Sequence, residues 1–431
     1  MLGYYLDLAL RSFRRNKVLT ALMVLTLALG IGASMTTLTV LRLLSGDPLP
    51  HKSAQLFYVQ LDPYPKDHPF SRSDKLPWMM SYVDAMNLLH AQRAERQAAM
   101  AMTRVKLAST QQRPFFDDGV MTTSDFFSMF EAPFQYGGGW SAADGESRAK
   151  VVVIADFLND QLFGGANSVG RNLRINDQDF RIIGVLRHWA PQPRFYSLYL
   201  GGPNYGKGEA VFLPLQSARA AGMGPMSTMS YAGGDKEVLE SAPSIWLGLW
   251  VQLPDAAAMS AYRSFLAGYA RQQVALGRFE RSRFGLSDLM QWLDSQQVVP
   301  GNVRMQTGLA FSFLLICMVN TVGLLLAKCL RRANEIGVRR ALGASRAAIF
   351  AQFMAEAGLI GLVGGALGLV FALFGLWCIR QQPAEYASLV HLDGQMFACT
   401  FAMALIASLL AGMLPAWRAC AVTPAPQLKS A

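Results

Sequence analysis

The sequence predicts a membrane protein of four transmembrane α-helices in a one-plus-three arrangement, with a large α+β extracytoplasmic domain between the first helix and the second. Three observations predict it. Four segments are apolar enough to cross a bilayer, a long segment of mixed composition separates the first from the other three, and the basic residues beside the spans gather on one membrane face.

Of the 431 residues, 52% are hydrophobic and 16% charged. That is too apolar for a water-soluble chain and too polar for one confined to lipid. A crossing helix needs roughly 20 apolar residues, and segments 18–44, 306–330, 347–379 and 396–417 supply them. The first follows Arg11, Arg14, Arg15 and Lys17 as a secretory signal would, but its apolar run well exceeds the roughly 7–15 residues of a signal core. It is read as an uncleaved anchor.

Charge sets the orientation. Arg11, Arg14, Arg15 and Lys17 precede the first span, and Lys328, Arg331, Arg332, Arg339, Arg340 and Arg346 lie at or between the second and third. Arg418 and Lys429 follow the fourth. This face carries nearly all of the formal net charge of +10, and the positive-inside rule makes it cytoplasmic. Segments 1–17, 331–346 and 418–431 are then inside, while 45–305 and the short loop 380–395 are outside. Basic residues placed within a few positions of apolar spans are topogenic, so the high charge does not indicate a nucleic-acid partner.

The outer segment contains no cysteine, since Cys317, Cys329, Cys378, Cys399 and Cys420 all lie in or beside spans. It therefore holds no disulfide. His51, His68, His90, His188 and His391 are widely separated, which excludes a ligand-like pairing for a metal.

Within the outer segment, helical spacing of Met79, Tyr82, Val83, Met86 and Leu89 predicts a helix over 78–97. Met259, Tyr262, Leu266 and Tyr269 predict a second. Segments 151–154, 173–175, 180–186, 211–213 and 245–253 read as strands, with Asn176-Asp177 as a hairpin turn. The stretch 197–244, rich in Gly, Ser and Met, is expected to be poorly ordered.

Two motifs there are set aside. Gly201, Gly206 and Lys207 approach a phosphate-binding loop, but Gly208 stands where Ser or Thr should hold magnesium. No nucleotide cofactor is assigned to this chain. Met223, Met226 and Met229 could offer thioethers to Cu(I), yet methionines more often fill gaps, and no metal is assigned.

In the spans, the small residues Gly30 and Ser34, Gly361 and Gly365, and Gly364 and Gly368 form i, i+4 pairs that let helix backbones approach in lipid. Asn320 and Glu356 are polar groups at membrane depth and should find protein partners, unless Glu356 snorkels to the cytoplasmic surface. The cytoplasmic loop reads RRANEIGVRRALGASR. Glu335 and Arg339 can pair at i, i+4, and Val338, Ala341 and Leu342 share the opposite side of a short amphipathic helix.

That loop, continuing into AIFAQFMAEAGLIGLVGGALGL, resembles the signature of the FtsX-like, or MacB-type, ABC transporter permeases. LFGGANSVGRNLRINDQDFRIIGVL (162–186) is similar to the outer domain of the MacB branch, and LPAWRACAVTPAPQLK follows the family's ending at Pro415, Arg418 and Pro424. The resemblance implies a permease without a fused ATPase, with ATP and magnesium held by a separate cytoplasmic ATPase subunit. It implies pairing with a second permease copy or a paralogue, and mechanotransmission through the inner membrane to the periplasmic domain. Glu335, Ile336, Gly337, Val338, Arg339, Arg340, Leu342, Gly343 and Ala344 would form the coupling helix, with Val338 or Leu342 seated in the ATPase and Arg339 or Arg340 orienting the contact. Residues 162–170 would belong to a porter-like part of the outer domain. The implied activity is efflux of a hydrophobic compound, peptide or drug, with a periplasmic adaptor and outer-membrane channel as further partners of the exporter branch. Regulation of cell-wall hydrolases and release of lipoproteins are the alternatives within the same architecture.

Overall fold

The computed structural model describes residues 17–65, 75–108, 113–198, 200–230, 238–240, 243–382, 386–390 and 393–420. Arg11, Arg14, Arg15, His68, His391, Pro424 and Lys429 lie outside them. The chain divides into two compact units, Met1–Ser45 with Val299–Ala431, and Gly46–Val298. Helix α1 (Lys17–Ser45) belongs to the first.

The second unit is built on a sheet whose main path runs β12-β1-β11-β3-β4-β9-β6-β8-β5. In chain order the elements are β1 (Leu56–Leu61), β2 (Met80–Ser81), α2 (Tyr82–His90), β3 (Arg96–Ala108), β4 (Phe115–Thr122), α3 (Phe126–Met129), β5 (Phe134–Gly137), α4 (Ala142–Glu146), β6 (Val151–Ile154), α5 (Asp156–Phe163), β7 (Asn172–Ile175) and β8 (Gln178–Leu186). Then follow β9 (Val211–Pro214), α6 (Leu215–Ala220), β10 (Met229–Ser230), β11 (Ser244–Gln252), α7 (Ala256–Ala275), β12 (Phe284–Asp288) and α8 (Leu289–Ser295).

The expected strands and hairpin are present. Asn176 and Asp177 take φ of 46° and 64°, the left-handed pair that a two-residue turn with right-handed strand twist requires. The predicted helix 78–97 forms only as α2. Ser81 caps it by accepting the Asp84 N–H at 3.1 Å, and Gln92, at φ 46°, leaves the helical region just beyond its end. Strand β11 (SIWLGLWVQ) is buried along its whole length, with Trp250 against Tyr58 and Phe195.

The stretch 197–244 departs from expectation. Its described residues carry β9, α6 and β10 and bury Leu198, Leu200, Tyr205, Val211 and Met223. Glu209 anchors it, ion-paired to the buried Arg194 and accepting from the Tyr196 hydroxyl at 2.6 Å. Burial opposes the Arg194 charge, but the Glu209 carboxylate outweighs it and holds the guanidinium protonated above its ordinary range. Burial, reinforced by Glu209, drives the Tyr196 hydroxyl well above the ordinary phenol range. Polar groups so enclosed are tolerable only when they satisfy one another.

The first unit continues with α9 (Gly301–Arg331), α10 (Ala333–Ala341), α11 (Arg346–Arg380) and α12 (Gly394–Cys420). Helices α1, α9, α11 and α12 are the four long enough and apolar enough to cross a membrane, in the one-plus-three order. Their core is Met23, Leu27, Ile31, Met35, Leu314 and Ile360. The 35 residues of α11 make about 52 Å at 1.5 Å per residue, against roughly 30 Å of hydrocarbon. Its first turns bury Ile349, Phe353 and Glu356.

Candidate functional site

Helix α10 follows α9 after the single residue Arg332, its N-cap. It ends at Leu342, and Gly343 takes φ 95°. The Gly343 N–H donates to Arg340 O at 3.1 Å and the Ala344 N–H to Arg339 O at 3.0 Å, the paired bonds of a Schellman stop that favours glycine at this position. The helix therefore spans Ala333–Ala341, and Leu342, Gly343 and Ala344 form its exit.

One side of α10 is pinned to its own chain. Ile336 is 6% exposed and packs with Cys329, Ile349, Phe353, Ala416 and Ala419; Gly337 beside it is buried. Arg339 donates to Glu335 at 2.8 Å and to Gln352 at 3.2 Å, and Arg340 donates to the Cys420 carbonyl at 3.3 Å, at the end of α12. Both arginines hold the helix in place, Arg339 in part through the i, i+4 pair with Glu335 that the sequence predicts. The other side is bare, with Val338 51% and Leu342 82% exposed.

Beneath this helix lies a charge cluster. Glu356 on α11 is 1% exposed, is ion-paired with Lys328 Nζ at 3.0 Å and accepts from Arg332 Nη1 at 2.9 Å. Lys328, also 1% exposed, sits in the last turn of α9, and Arg332 lies four residues on. One carboxylate thus ties α9, the α9–α10 junction and α11 together. It does not snorkel. Lys328 entered the sequence reading only as a topogenic charge; the signal to its role was a lone acid in span three facing a basic pair at i, i+4.

The small-residue pairs face different neighbours. A Cβ on Gly30 would meet Leu314 at 2.9 Å, and the Ser34 hydroxyl donates to Ala310 O at 3.0 Å, so this pair seats α1 on α9. Gly361 and Gly365 meet Ser408 and Ala404 of α12, while Gly364 and Gly368 meet Leu27 and Ile31 of α1. Two glycine rows therefore let α11 lie between both helices. Asn320 is exposed, on a face of α9 that the described residues leave uncovered along with Leu309, Ile316 and Val319.

Of the motifs set aside, the phosphate-loop-like stretch has structural partners for its lysine. Lys207 pairs with Asp117 at 3.2 Å and lies 4.2 Å from the Phe157 ring centroid. In the 162–170 segment, Gly164, Gly165 and Gly170 all have positive φ, and Asn159 holds the loop by donating to Ala166 O at 3.0 Å.

Residues 20–266 match the MacB-like periplasmic core domain, and residues 307–424 match the FtsX-like permease C-terminal domain. The chain belongs to the MacB/FtsX-type permease family, a multi-pass inner-membrane protein with a large periplasmic domain. It is similar to the pyoverdine export ATP-binding/permease protein PvdT of Pseudomonas aeruginosa, with 26% identity covering 71% of this chain and 41% of that protein. The uncharacterized ABC transporter permease YvrN of Bacillus subtilis is 23% identical, covering 71% and 68%. The macrolide export ATP-binding/permease protein MacB of Salmonella typhi is 27% identical, covering 71% and 42%. The chain thus spans less than half the length of the first and third.

Proposed function

We propose that this chain is the permease subunit of an ABC transporter and that a separate cytoplasmic ATPase, holding ATP and magnesium, docks on α10. The observation that carries this reading is the two-sidedness of α10. Ile336, Arg339 and Arg340 bind it to the bundle, while Val338 and Leu342 stand exposed on a charged, cytoplasmic surface. A short helix so held passes a push at its exposed side into α9 and α11 with little slack. The names of two relatives, pyoverdine export and macrolide export, support efflux of a hydrophobic compound, peptide or drug by way of the periplasmic domain. Asn320 supports a second permease copy or a paralogue as partner, because an exposed amide at membrane depth is costly in lipid and is relieved by another polypeptide.

The test is Leu342→Asp. The substitution lies outside the helix and leaves the buried Ile336 side untouched, so membrane abundance should stay at the wild-type level. An unpaired carboxylate in a packed contact costs about 2 kcal/mol or more, so ATPase recovered with the purified permease should fall by roughly tenfold or more. Wild-type recovery together with a wild-type transport phenotype would remove the docking assignment.

A further inference from the structure

The cytoplasmic ends of α11 and α12 leave a cleft of about 410 Å³ between them. Arg346 stands at its head, and Phe350 and Trp417 form its sides. The head is built on tied backbone. The Cys420 thiol, at the end of α12, donates to Arg346 O at 3.3 Å, and Arg340 donates to the Cys420 carbonyl at 3.3 Å, bringing a second guanidinium to the same corner. Trp417 is 69% exposed, at the end of a span, where an indole sits at headgroup level. The cleft also continues into the membrane. Phe350, Met354 and Gly358 repeat at helical spacing on α11, and Trp417, Met413 and Leu409 on α12. The two rows lie side by side, because a Cβ on Gly412 would be 3.9 Å from Met354 Sδ, and one on Gly358 would meet nothing nearer than Leu409 Cδ2 at 3.9 Å. Met354, Gly358 and Leu409 are half-buried and Met413 is exposed, so an apolar furrow leads inward from the arginines.

Charge complementarity points independently to an anion. The acidic side chains described on this face are Glu335, which pairs with Arg339, and Glu356, which pairs with Lys328 and Arg332. Arg346 is exposed and has no carboxylate partner among the described residues. The segment AVTPAPQLKSA that follows Cys420 brings no acidic side chain. A charge that served topology alone would need neither a cleft nor a furrow beside it.

We propose that the cleft and furrow seat one anionic phospholipid of the cytoplasmic leaflet, with its phosphate on the Arg346 guanidinium, its glycerol beside Trp417 and an acyl chain along Met354 and Met413. Arginine suits the head because its planar fork meets a phosphate through two parallel hydrogen bonds. Basic pockets between spans on the cytoplasmic side are places where acidic headgroups bind. A zwitterionic lipid sets its own cation beside Arg346 and loses that attraction. A lipid held there braces the corner where Arg340 ties α10 to α12. The site rests on the membrane topology and on this geometry, not on the docking of an ATPase.

The experiment places the full chain in phosphatidylcholine nanodiscs and titrates in either phosphatidylglycerol or phosphatidylcholine carrying brominated acyl chains. Bromine quenches an indole that it touches, and the Trp417 signal is the difference between the chain and Trp417→Phe. Half-quenching should come at an about fivefold lower mole fraction of brominated phosphatidylglycerol, the size of one basic residue's attraction for an acidic membrane surface. Arg346→Gln should bring the two curves together, while Arg346→Lys, which keeps the charge, should keep most of the preference. Trp377, 54% exposed at the outer end of α11, should quench equally with both lipids. Coincident curves at Trp417 in the wild type would overturn the proposal, as would a preference that Arg346→Gln leaves intact. Loss of the preference on adding inorganic phosphate at constant ionic strength would overturn it too, by showing a site for a free anion. Arg346→Gln that spares the lipid preference yet lowers ATPase recovery would assign the arginine to the partner protein instead. Failure of the docking assignment is seen separately, as wild-type ATPase recovery with Leu342→Asp, which the quenching does not touch.

Discussion

Glu356→Ala is expected to lower the membrane abundance of the chain to a small fraction of wild type. The carboxylate is the shared counter-ion of Lys328 and Arg332, and Lys328 is as buried as Glu356 itself. Removing one partner of a buried pair leaves the other charge enclosed without compensation, a cost of about 3–5 kcal/mol. The stability of a whole domain is only about 5–15 kcal/mol. Arg332 is less at risk, because at 14% side-chain exposure it can turn its long chain toward water. Glu356→Gln keeps a hydrogen-bond acceptor and should fall between the two. Lys328→Met combined with Glu356→Met removes both charges and should recover most of the abundance, since replacing an entire buried pair by apolar residues is often neutral. Quantitative blotting of membranes and thermal stability in detergent measure all three. Wild-type abundance of Glu356→Ala would show the cluster to be dispensable.

What the sequence makes legible here depends on how local the cause is. Spans, orientation and the Asn176-Asp177 turn rest on composition, charge and dipeptide geometry, and all are readable. The Glu335–Arg339 pair is readable too, because its partners are four residues apart. β3 is not: RQAAMAMTRVKLA is built from good helix formers, and it is a strand because β11 and β4 pair with it on either side. Likewise Val338 and Leu342 can be grouped on one helix face from spacing alone, but Ile336 becomes an anchor only when Phe353 and Ala416, distant in sequence, arrive beneath it. The segment 197–244 misleads by its Gly and Ser content. Its order comes from Arg194 meeting Glu209 and from β9 joining β4 and β6.

The glycine rows of α11 yield the other large effect. A Cβ at Gly365 would lie 2.7 Å from the Ala404 Cβ of α12, and one at Gly368 would lie 3.0 Å from Ile31 Cγ2 of α1. In lipid no hydrophobic driving force restores a displaced helix, because packing itself is what holds the bundle. Gly365→Leu must therefore push α12 away or adopt a strained rotamer, at about 1–3 kcal/mol for overpacking with further loss from the broken contacts along the interface. Purified protein should show a markedly lower melting temperature in detergent. Gly358 offers the control, since the nearest atom to an added Cβ there is Leu409 Cδ2 at 3.9 Å, ordinary contact distance, and Gly358→Ala should be neutral or slightly stabilising through helix propensity. A reciprocal exchange isolates the cause. Gly365→Ala alone should destabilise, and adding Ala404→Gly should restore the melting temperature, because the methyl group has only changed sides of the same interface. A double-mutant cycle with no such coupling would mean that α11 and α12 tolerate wider separation, and that the row spaced at 361 and 365 reflects the ordinary tolerance of membrane helices for glycine.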